Sequence, residues 1–432
     1  MGTMTLTASS PAGTATSTQA AASRAPRITS IDALRGLVMF TMIFVNDLAG
    51  APENIVPPWM KHFHGKSGMT FVDMVFPGFL FIVGMSIPFA LGPRLRRGEP
   101  LWKTLAHVLA RTGALLWIGV LMVNETPSSE KLGWSGALWC TLMYLSAILA
   151  FCVIAPPRKT SGESGKTFQI ISLALRIVGW VGMIYLAMVF RDKNGGAILS
   201  FNPFHIETSW WGILGLIGWA YLVGAIVFLV FRTNRTALLA CMVLLMCFYP
   251  AERAGFFDGF FLSQFVGMGG TIGSQGAITV AGLLLAVILV SPDMSAVSAR
   301  VKFALWFIAG CAAAAMLVKG LYGINKNAAT PAWCLWACVI MGALWLVFYY
   351  ICDVRPVPVI AKPLAVAGQN VLLAYLISEM LPGAIDWLHL GDWYYGLAGP
   401  ALGNAIARSA VCGVMILCVV AGVNRVGFRL KL

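Results

Sequence analysis

Long, uninterrupted apolar runs dominate the hydrophobic pattern of this chain. The strings FTMIFVNDL (40–48) and GLLLAVILV (282–290) show no alternation of polar and apolar positions. A helix that crosses the hydrocarbon core needs about 20 apolar residues, whereas a transmembrane β-strand alternates over about 10 residues. Backbone groups in lipid must be satisfied within the segment itself. The pattern therefore predicts an all-α fold, a polytopic transmembrane helical bundle.

The apolar runs predict about 11–12 spans. The predicted segments are 31–49, 70–91, 104–124, 136–155, 169–190, 209–231, 236–250, 275–291, 302–319, 331–351, 362–383 and 401–422. Residues 1–26 are rich in Ser, Thr, Ala and Gly and contain no apolar stretch, so they are expected to form a disordered cytosolic tail. Residues 27–432 are expected to form a single transmembrane domain.

Composition and charge support an integral membrane protein. Only 11% of the residues are charged and 59% are hydrophobic, whereas soluble domains are about 25% charged. The net charge of +13 arises mostly from Lys and Arg in the loops that are predicted to face the cytosol. This distribution follows the positive-inside rule and predicts an inner (cytoplasmic) membrane protein with both termini in the cytosol. The charge is therefore no indication of a nucleic-acid partner.

Several common kinds of site are not predicted. The ten cysteines lie in or at the ends of apolar segments, without CxxC pairs near histidines, so we expect inert thiols and no metal site. The glycine-rich string 267–273 follows no strand, which argues against a dinucleotide site. The chain lacks Walker A, HExxH and GxSxG motifs, which argues against ATP-driven pumping and the common hydrolases.

Polar residues gather in the loop between the first two spans, which is predicted to lie outside. Asn46 closes the first span, Asp73 opens the second, and the loop between them contains His62 and His64. The loop is short enough for these side chains to meet. A carboxylate beside an imidazole selects one tautomer and raises its basicity, as a general base requires. An ordinary loop role for either histidine is the alternative interpretation.

Two further groups of polar residues lie in the second half of the chain. Asn325, Lys326 and Asn327 crowd a short outer loop, where they either bind phosphate, carboxylate or sugar oxygens or are simply solvated. In the eleventh span, Glu379 lies near the outer end and is expected to join the outer site. Asn370 lies deeper, where a hydrogen bond between helices is the favoured interpretation and substrate binding is the alternative.

Asp32 and Arg35 lie on one face of the first span, near its inner end. They are three residues apart, so they can form an ion pair that holds the helix at the membrane interface. The alternative is that they help to bind a substrate that enters from the cytosol. Charged groups inside spans are costly and usually functional.

These residues lie in strings that resemble a known family. The string IDALRGL (31–37) resembles the opening of membrane acyltransferases, and the other strings look like the heparan-alpha-glucosaminide N-acetyltransferase family. The other strings are FVN (44–46), KH (61–62), GMTFVDMVFPGFLFIVG (68–84), NKN (325–327), DV (353–354) and GQNVLLAY (368–375), followed by Glu379. The resemblance covers nearly the whole chain after the tail.

The resemblance implies a bundle of about eleven spans that transfers an acetyl group from cytosolic acetyl-CoA to an amino sugar across the membrane. The family's active histidine follows a lysine in the first outer loop, which matches His62, and its asparagine and aspartate match Asn46 and Asp73. Here FHGKSG (63–68) replaces the family's Trp-Asn-Gly segment, so His64 stays a rival to His62. The large lumenal domain of animal members is not expected here, so the acceptor need not be heparan sulfate.

We therefore expect an acetyltransferase whose partners are the lipid bilayer, acetyl-CoA and an amino sugar or glycan acceptor. Whether the protein forms a homodimer is left open by the sequence. The arginines expected near the CoA phosphates are Arg94, Arg96 and Arg97. The main alternative is a transporter or permease for a small solute. Its signature would be inverted repeats with broken helices. No clear repeat is found, although Pro77 and Gly78 interrupt the second span.

Overall fold

A computed structural model describes residues 28–124, 126–155 and 163–432 of the chain. The predicted tail, 1–26, lies outside the described residues. The helices are α1 (Thr29–Leu48), α2 (Val75–Arg96), α3 (Leu101–Val123), α4 (Ser129–Leu132), α5 (Gly136–Ala150), α6 (Glu163–Val189), α7 (Gly212–Phe231), α8 (Arg235–Arg253), α9 (Gly276–Val290), α10 (Val297–Tyr322), α11 (Pro331–Tyr349), α12 (Pro358–Ala367), α13 (Val371–Trp387), α14 (Gly391–Gly396) and α15 (Leu402–Arg425).

The structure confirms an all-α, polytopic helical bundle. Among the described residues, nine helices are long and apolar enough to cross a membrane, and the α12–α13 pair would make a tenth span. All twelve predicted segments contain a helix, but three of them are not among these nine helices. Helix α1, in the first predicted span, is not counted among them. Helix α5 ends at Ala150 and is a short apolar helix, and the eleventh segment is broken by a 67° bend between α12 and α13.

Two other local predictions are settled by the backbone. Pro77 and Gly78 do not interrupt the second span, because they lie in the first turn of α2, where the missing N–H of proline has no partner to lose. The glycine-rich string forms a π-helix, Met268–Gln275, which runs directly into α9.

Small residues let the central helices approach closely. A Cβ atom added to Gly84 of α2 would lie 1.8 Å from the carbonyl oxygen of Thr279 in α9, and one added to Gly36 of α1 would lie 2.1 Å from the carbonyl oxygen of Leu364 in α12. Lipid tails are as apolar as leucine, so packing between helices in a membrane relies on such close van der Waals contact. Helix α9 is buried along nearly its whole length and forms the centre of the bundle.

The residues that the structure describes also form four short strands. Strands β1 (Cys152–Ile154) and β4 (Phe428–Leu430) pair antiparallel, with Cys152 opposite Leu430. Strands β2 (Leu199–Phe201) and β3 (Phe204–Ile206) form a small antiparallel pair between α6 and α7. The first pair joins the segment after α5 to the segment after α15.

Candidate functional site

The connection between α1 and α2 carries the central residues of the candidate site. It leaves α1 after Leu48 and enters α2 through a single 3-10 turn, Val72–Met74, which contains Asp73. Because both helix ends lie at the same face of the bundle, the connection folds back over the gap between them. We call this face the His62 end.

His62 and Asp73 are hydrogen-bonded there. The Nδ1 atom of His62 lies 2.8 Å from Oδ1 of Asp73. The other carboxylate oxygen, Oδ2, accepts hydrogen bonds from the backbone N–H groups of Phe63 (3.1 Å) and Thr70 (3.0 Å). The Asp73 side chain is only 2% exposed, whereas that of His62 is 48% exposed. A buried, fully engaged carboxylate therefore holds an imidazole whose opposite edge is open.

The Asp73 carboxylate can only accept a hydrogen bond, so it favours the tautomer of His62 that is protonated at Nδ1. When Nδ1 carries the proton and donates it to Asp73, Nε2 is left with a free lone pair on the exposed edge of the ring. That nitrogen can accept a proton from a bound substrate. A carboxylate–imidazole pair in this orientation is the arrangement that general-base catalysis requires.

Lys326 joins the pair from the loop between α10 and α11. Its Nζ atom lies 3.1 Å from Nδ1 of His62 and 3.8 Å from Oδ1 of Asp73. Burial lowers the pKa of Lys326 below its ordinary value of 10.5, and the negative charge and hydrogen bond of Asp73 offset only part of this lowering. The three side chains form what we call the His62 cluster: His62, Asp73 and Lys326.

Backbone contacts hold the Lys326 loop against the His62 loop. The N–H of Gly68 donates to the carbonyl oxygen of Ile324 (2.9 Å), and the N–H of Ile324 donates to Oγ of Ser67 (3.0 Å). Gly323 has a φ of +68°, and a Cβ atom there would lie 3.1 Å from the Ser67 hydroxyl. Glycine is thus required both by the backbone conformation and by the close approach of the two loops.

The two asparagines beside Lys326 do not join the cluster. The side-chain oxygen of Asn325 accepts the N–H of Ala328 (2.9 Å), so that amide stabilises the turn of its own loop. The side chain of Asn327 is exposed. Of the three loop residues proposed from the sequence to bind substrate, only Lys326 contacts His62 and Asp73.

Asn46 and Glu379 form a second polar pair at the His62 end. The Nδ2 atom of Asn46, in the last turn of α1, donates to Oε1 of Glu379 in α13 at 2.9 Å. Asn46 is exposed and Glu379 is half-buried. His64 is also exposed, and its imidazole makes no hydrogen bond to any other described residue. The structure therefore brings His62, and not His64, into contact with Asp73.

Asp32, Arg35 and Asn370 lie far from this group. Fourteen residues separate Asp32 from Asn46 on α1, which is roughly 20 Å at 1.5 Å per residue. Arg35 forms an ion pair with Asp32 (2.8 Å) and donates to the hydroxyl of Ser86 in α2 (2.7 Å). Asn370 hydrogen-bonds Asn424 of α15 (3.0 Å). The Asp32–Arg35 pair lies within α1, whereas Arg35 and Asn370 also contact neighbouring helices.

One buried polar network at the His62 end was missed by the sequence-based reasoning. Asp47 forms an ion pair with Arg408 of α15 (3.0 Å) and accepts hydrogen bonds from Tyr394 (2.5 Å) and Ser409 (2.6 Å). Burial, and then the hydrogen bond to this carboxylate, raise the pKa of Tyr394 well above its usual range. The signal available in the sequence was a single arginine within the last apolar segment. The network ties α15 and α14 to the end of α1.

Comparison with known proteins shows the family of this chain. Heparan-alpha-glucosaminide N-acetyltransferase of Homo sapiens is 33% identical over 109 residues, and that of Mus musculus is 35% identical over 112 residues. These matches cover 25% and 26% of this chain and 16% of the length of each relative. The family described as "Domain of unknown function (DUF5009)" matches residues 27–253, which is more than half of the chain. The chain therefore belongs to the DUF5009 family and is similar to heparan-alpha-glucosaminide N-acetyltransferases.

Proposed function

We propose that this protein is a membrane acetyltransferase that moves an acetyl group from cytosolic acetyl-CoA to an amino sugar or glycan on the outer side of the membrane. The observation that carries the proposal is the 2.8 Å contact between the exposed imidazole of His62 and the buried carboxylate of Asp73. The similarity to named N-acetyltransferases supports the same chemistry. Acetyl-CoA is the acyl donor in this scheme.

His62 acts as the general base. Its Nε2 atom removes a proton from the acceptor amine or hydroxyl as that group attacks the thioester carbonyl. The new C–N or C–O bond forms, the C–S bond breaks, and the proton passes from His62 to the departing CoA thiolate. Asp73 holds the imidazole in the required tautomer, and general-base catalysis of this kind contributes about 10²- to 10⁴-fold in rate.

Asn46 stabilises the oxygen on which negative charge develops. Glu379 accepts one hydrogen of the Asn46 amide, which fixes the orientation of the amide and leaves its second hydrogen for the thioester carbonyl. A preoriented donor is effective because it needs no rearrangement during the reaction. Lys326 contacts the same Nδ1 edge of the His62 ring as Asp73 and keeps the two loops together.

The donor enters from the opposite face of the bundle. Arg94 forms an ion pair with Glu99 (3.0 Å), whereas Arg96 and Arg97 are exposed and available for the CoA phosphates. The excess of Lys and Arg in the corresponding loops supports a cytosolic position for this face and for both termini, in an inner membrane. Acetyl transfer then requires the pantetheine arm to reach the His62 end between the helices.

The test uses inverted membrane vesicles that contain the full chain. Vesicles are supplied with labelled acetyl-CoA outside and glucosamine inside, and labelled N-acetyl product is measured. His62→Ala should abolish transfer, and His64→Ala is the matched control, because His64 is exposed and makes no described contact with Asp73. Loss of transfer in His64→Ala with retention in His62→Ala would contradict the assignment of the base.

A transporter for a small solute is the second candidate. The observation that favours it is the 67° bend between α12 and α13, since broken helices often line transport sites. The same vesicles distinguish the two functions. Export of unmodified glucosamine from these vesicles without release of free CoA thiol would support the transporter, whereas release of thiol in proportion to acetylated product supports the enzyme.

A further inference from the structure

A cavity of about 420 Å³ adjoins the His62 cluster. It lies between α1, the segment that leads into α2, and α11. Thr70 connects the two, because it lines the cavity and its backbone N–H donates to the Asp73 carboxylate at 3.0 Å. The volume lies in the range of about 300–1,000 Å³ that is typical of small-molecule sites.

The walls of this cavity are apolar. Its main lining side chains are Leu37, Thr41, Phe71, Met74, Ile340 and Leu344. The two hydroxyl groups present are already engaged, since Thr41 donates to the carbonyl oxygen of Leu37 (3.0 Å) and Thr70 donates to that of Lys61 (2.7 Å). No charged side chain lines the cavity in the part of the chain that the structure describes.

An apolar lining of this kind selects hydrocarbon. A ligand that carried amide groups into the cavity would leave them without hydrogen-bond partners, which is unfavourable for each buried group. The pantetheine arm of the donor contains two amides and is therefore a poor occupant. An alkyl chain loses nothing on entering, because the surrounding bilayer is equally apolar.

The cavity meets the His62 cluster at Thr70, the lining residue whose N–H donates to Asp73. Helices α1, α2 and α11 pack together along the wall of the cavity, because a Cβ atom added to Gly78 would lie 3.3 Å from both the sulfur of Met341 and a methyl group of Val38. Phe71, beside Thr70, has a side chain that is 38% exposed. A chain that occupies the cavity with its polar end at Thr70 places that end beside Asp73 and His62.

We propose that this cavity binds the hydrocarbon chain of a lipid-linked amino sugar, so that the sugar amine is presented to His62. The inference rests on the proposed acetyltransferase function and names the class of its acceptor. The acceptor stays anchored in the bilayer while its headgroup reacts. The sugar reaches the His62 end along the membrane surface, and the chain enters the space between α1 and α11.

A second apolar groove provides the matched control. It has a volume of about 560 Å³ and lies between α8, α10 and α11. Gly310 lines it, and a Cβ atom added to Gly310 would meet no atom within 4 Å. None of its lining residues hydrogen-bonds to the His62 cluster among the described contacts.

The first experiment compares two acceptors in nanodiscs of fixed lipid composition. The acceptors are soluble glucosamine and a long-chain alkyl glucosaminide, and kcat/KM is measured for each with acetyl-CoA. In Thr41→Phe and Leu344→Trp, the larger side chain fills the cavity. The ratio of kcat/KM for the alkyl glucosaminide to kcat/KM for glucosamine should therefore fall by about tenfold or more. Gly310→Trp should keep the wild-type ratio. An unchanged ratio in both cavity variants would overturn the proposal.

The second experiment does not depend on turnover. An alkyl glucosaminide with a diazirine at the chain terminus is photolysed with the full chain, and the labelled peptides are identified by mass spectrometry. Labelling should fall on α1 and α11 and should be lost in Leu344→Trp. Labelling confined to the groove around Gly310 overturns the proposal. Labelling at α1 and α11 without transfer to any acceptor would instead overturn the acetyltransferase function.

Discussion

Replacing Asp73 by Asn tests the assignment of His62 as the base with the smallest change in shape. Two backbone N–H groups, those of Phe63 and Thr70, point at the same carboxylate oxygen. The carbonyl oxygen of the new amide must take that position, so its NH₂ group faces Nδ1 of His62. Nδ1 must then accept a hydrogen bond, and the ring proton moves to Nε2. The nitrogen that served as the base becomes a donor.

The expected loss of kcat is about 10²- to 10⁴-fold, which is the contribution of general-base catalysis. This corresponds to about 3–5 kcal/mol in the activation barrier, at about 1.4 kcal/mol for each factor of ten. The assay is transfer of labelled acetyl groups to glucosamine in vesicles, and thermal unfolding in the same lipid verifies that the variant is folded.

Glu207 offers a matched control for this substitution. It accepts from His205 at 2.7 Å in another carboxylate–imidazole pair, but both side chains are more than half exposed. Glu207→Gln therefore makes the same chemical change away from the His62 cluster and should leave the rate unchanged. The reasoning is refuted if folded Asp73→Asn retains a rate within about threefold of wild type, because a wrong tautomer cannot be that active.

Three further predictions concern charge and packing. Because burial lowers the pKa of Lys326, the pH dependence of its reaction with an acylating reagent should have a midpoint below pH 10.5. The free energy of unfolding should rise with pH in the window below that value, since the unfolded chain binds the extra proton there. A reaction midpoint at or above pH 10.5 would contradict this prediction. Gly84→Ala should reduce the free energy of unfolding by about 1–3 kcal/mol or more, because its Cβ would lie 1.8 Å from a backbone oxygen of α9, whereas Gly310→Ala should be tolerated in the same thermal assay. Arg408→Ala should cost about 3–5 kcal/mol, because it leaves Asp47 buried without its counter-ion; a loss below about 1 kcal/mol would show that the pair is not buried in the native protein.

The contact between His62 and Asp73 was within reach of sequence reasoning because it is local. Both residues lie in the connection between two helices whose ends must be close, so the loop itself limits the separation of the side chains. The choice between His62 and His64 was not within reach. The two histidines differ by only two positions, and the path of the loop backbone decides which ring meets the carboxylate.

Long-range pairs show where the sequence stops being informative. Lys326 lies 264 residues from His62, and Asn46 lies 333 residues from Glu379. Each was a plausible site residue by type, but their partners depend on which helices are neighbours. The side chain of Asn325, which looked equally suitable, turns into its own loop because a nearby backbone N–H needs an acceptor.

The sequence by itself determined that this is a helical membrane protein with its polar groups concentrated at the ends of helices. The physical reason is that insertion into lipid depends on each segment alone. The backbone hydrogen bonds of a helix are made within that helix, and the transfer free energy of its side chains depends on its own sequence. Only the tertiary structure decided which helices are neighbours. It also decided the bend between α12 and α13, the burial of Asp47 against Arg408 and the cavity beside Thr70. These depend on how the surfaces of distant helices fit together, as at Gly84, where absence of one side chain sets the spacing of two helices.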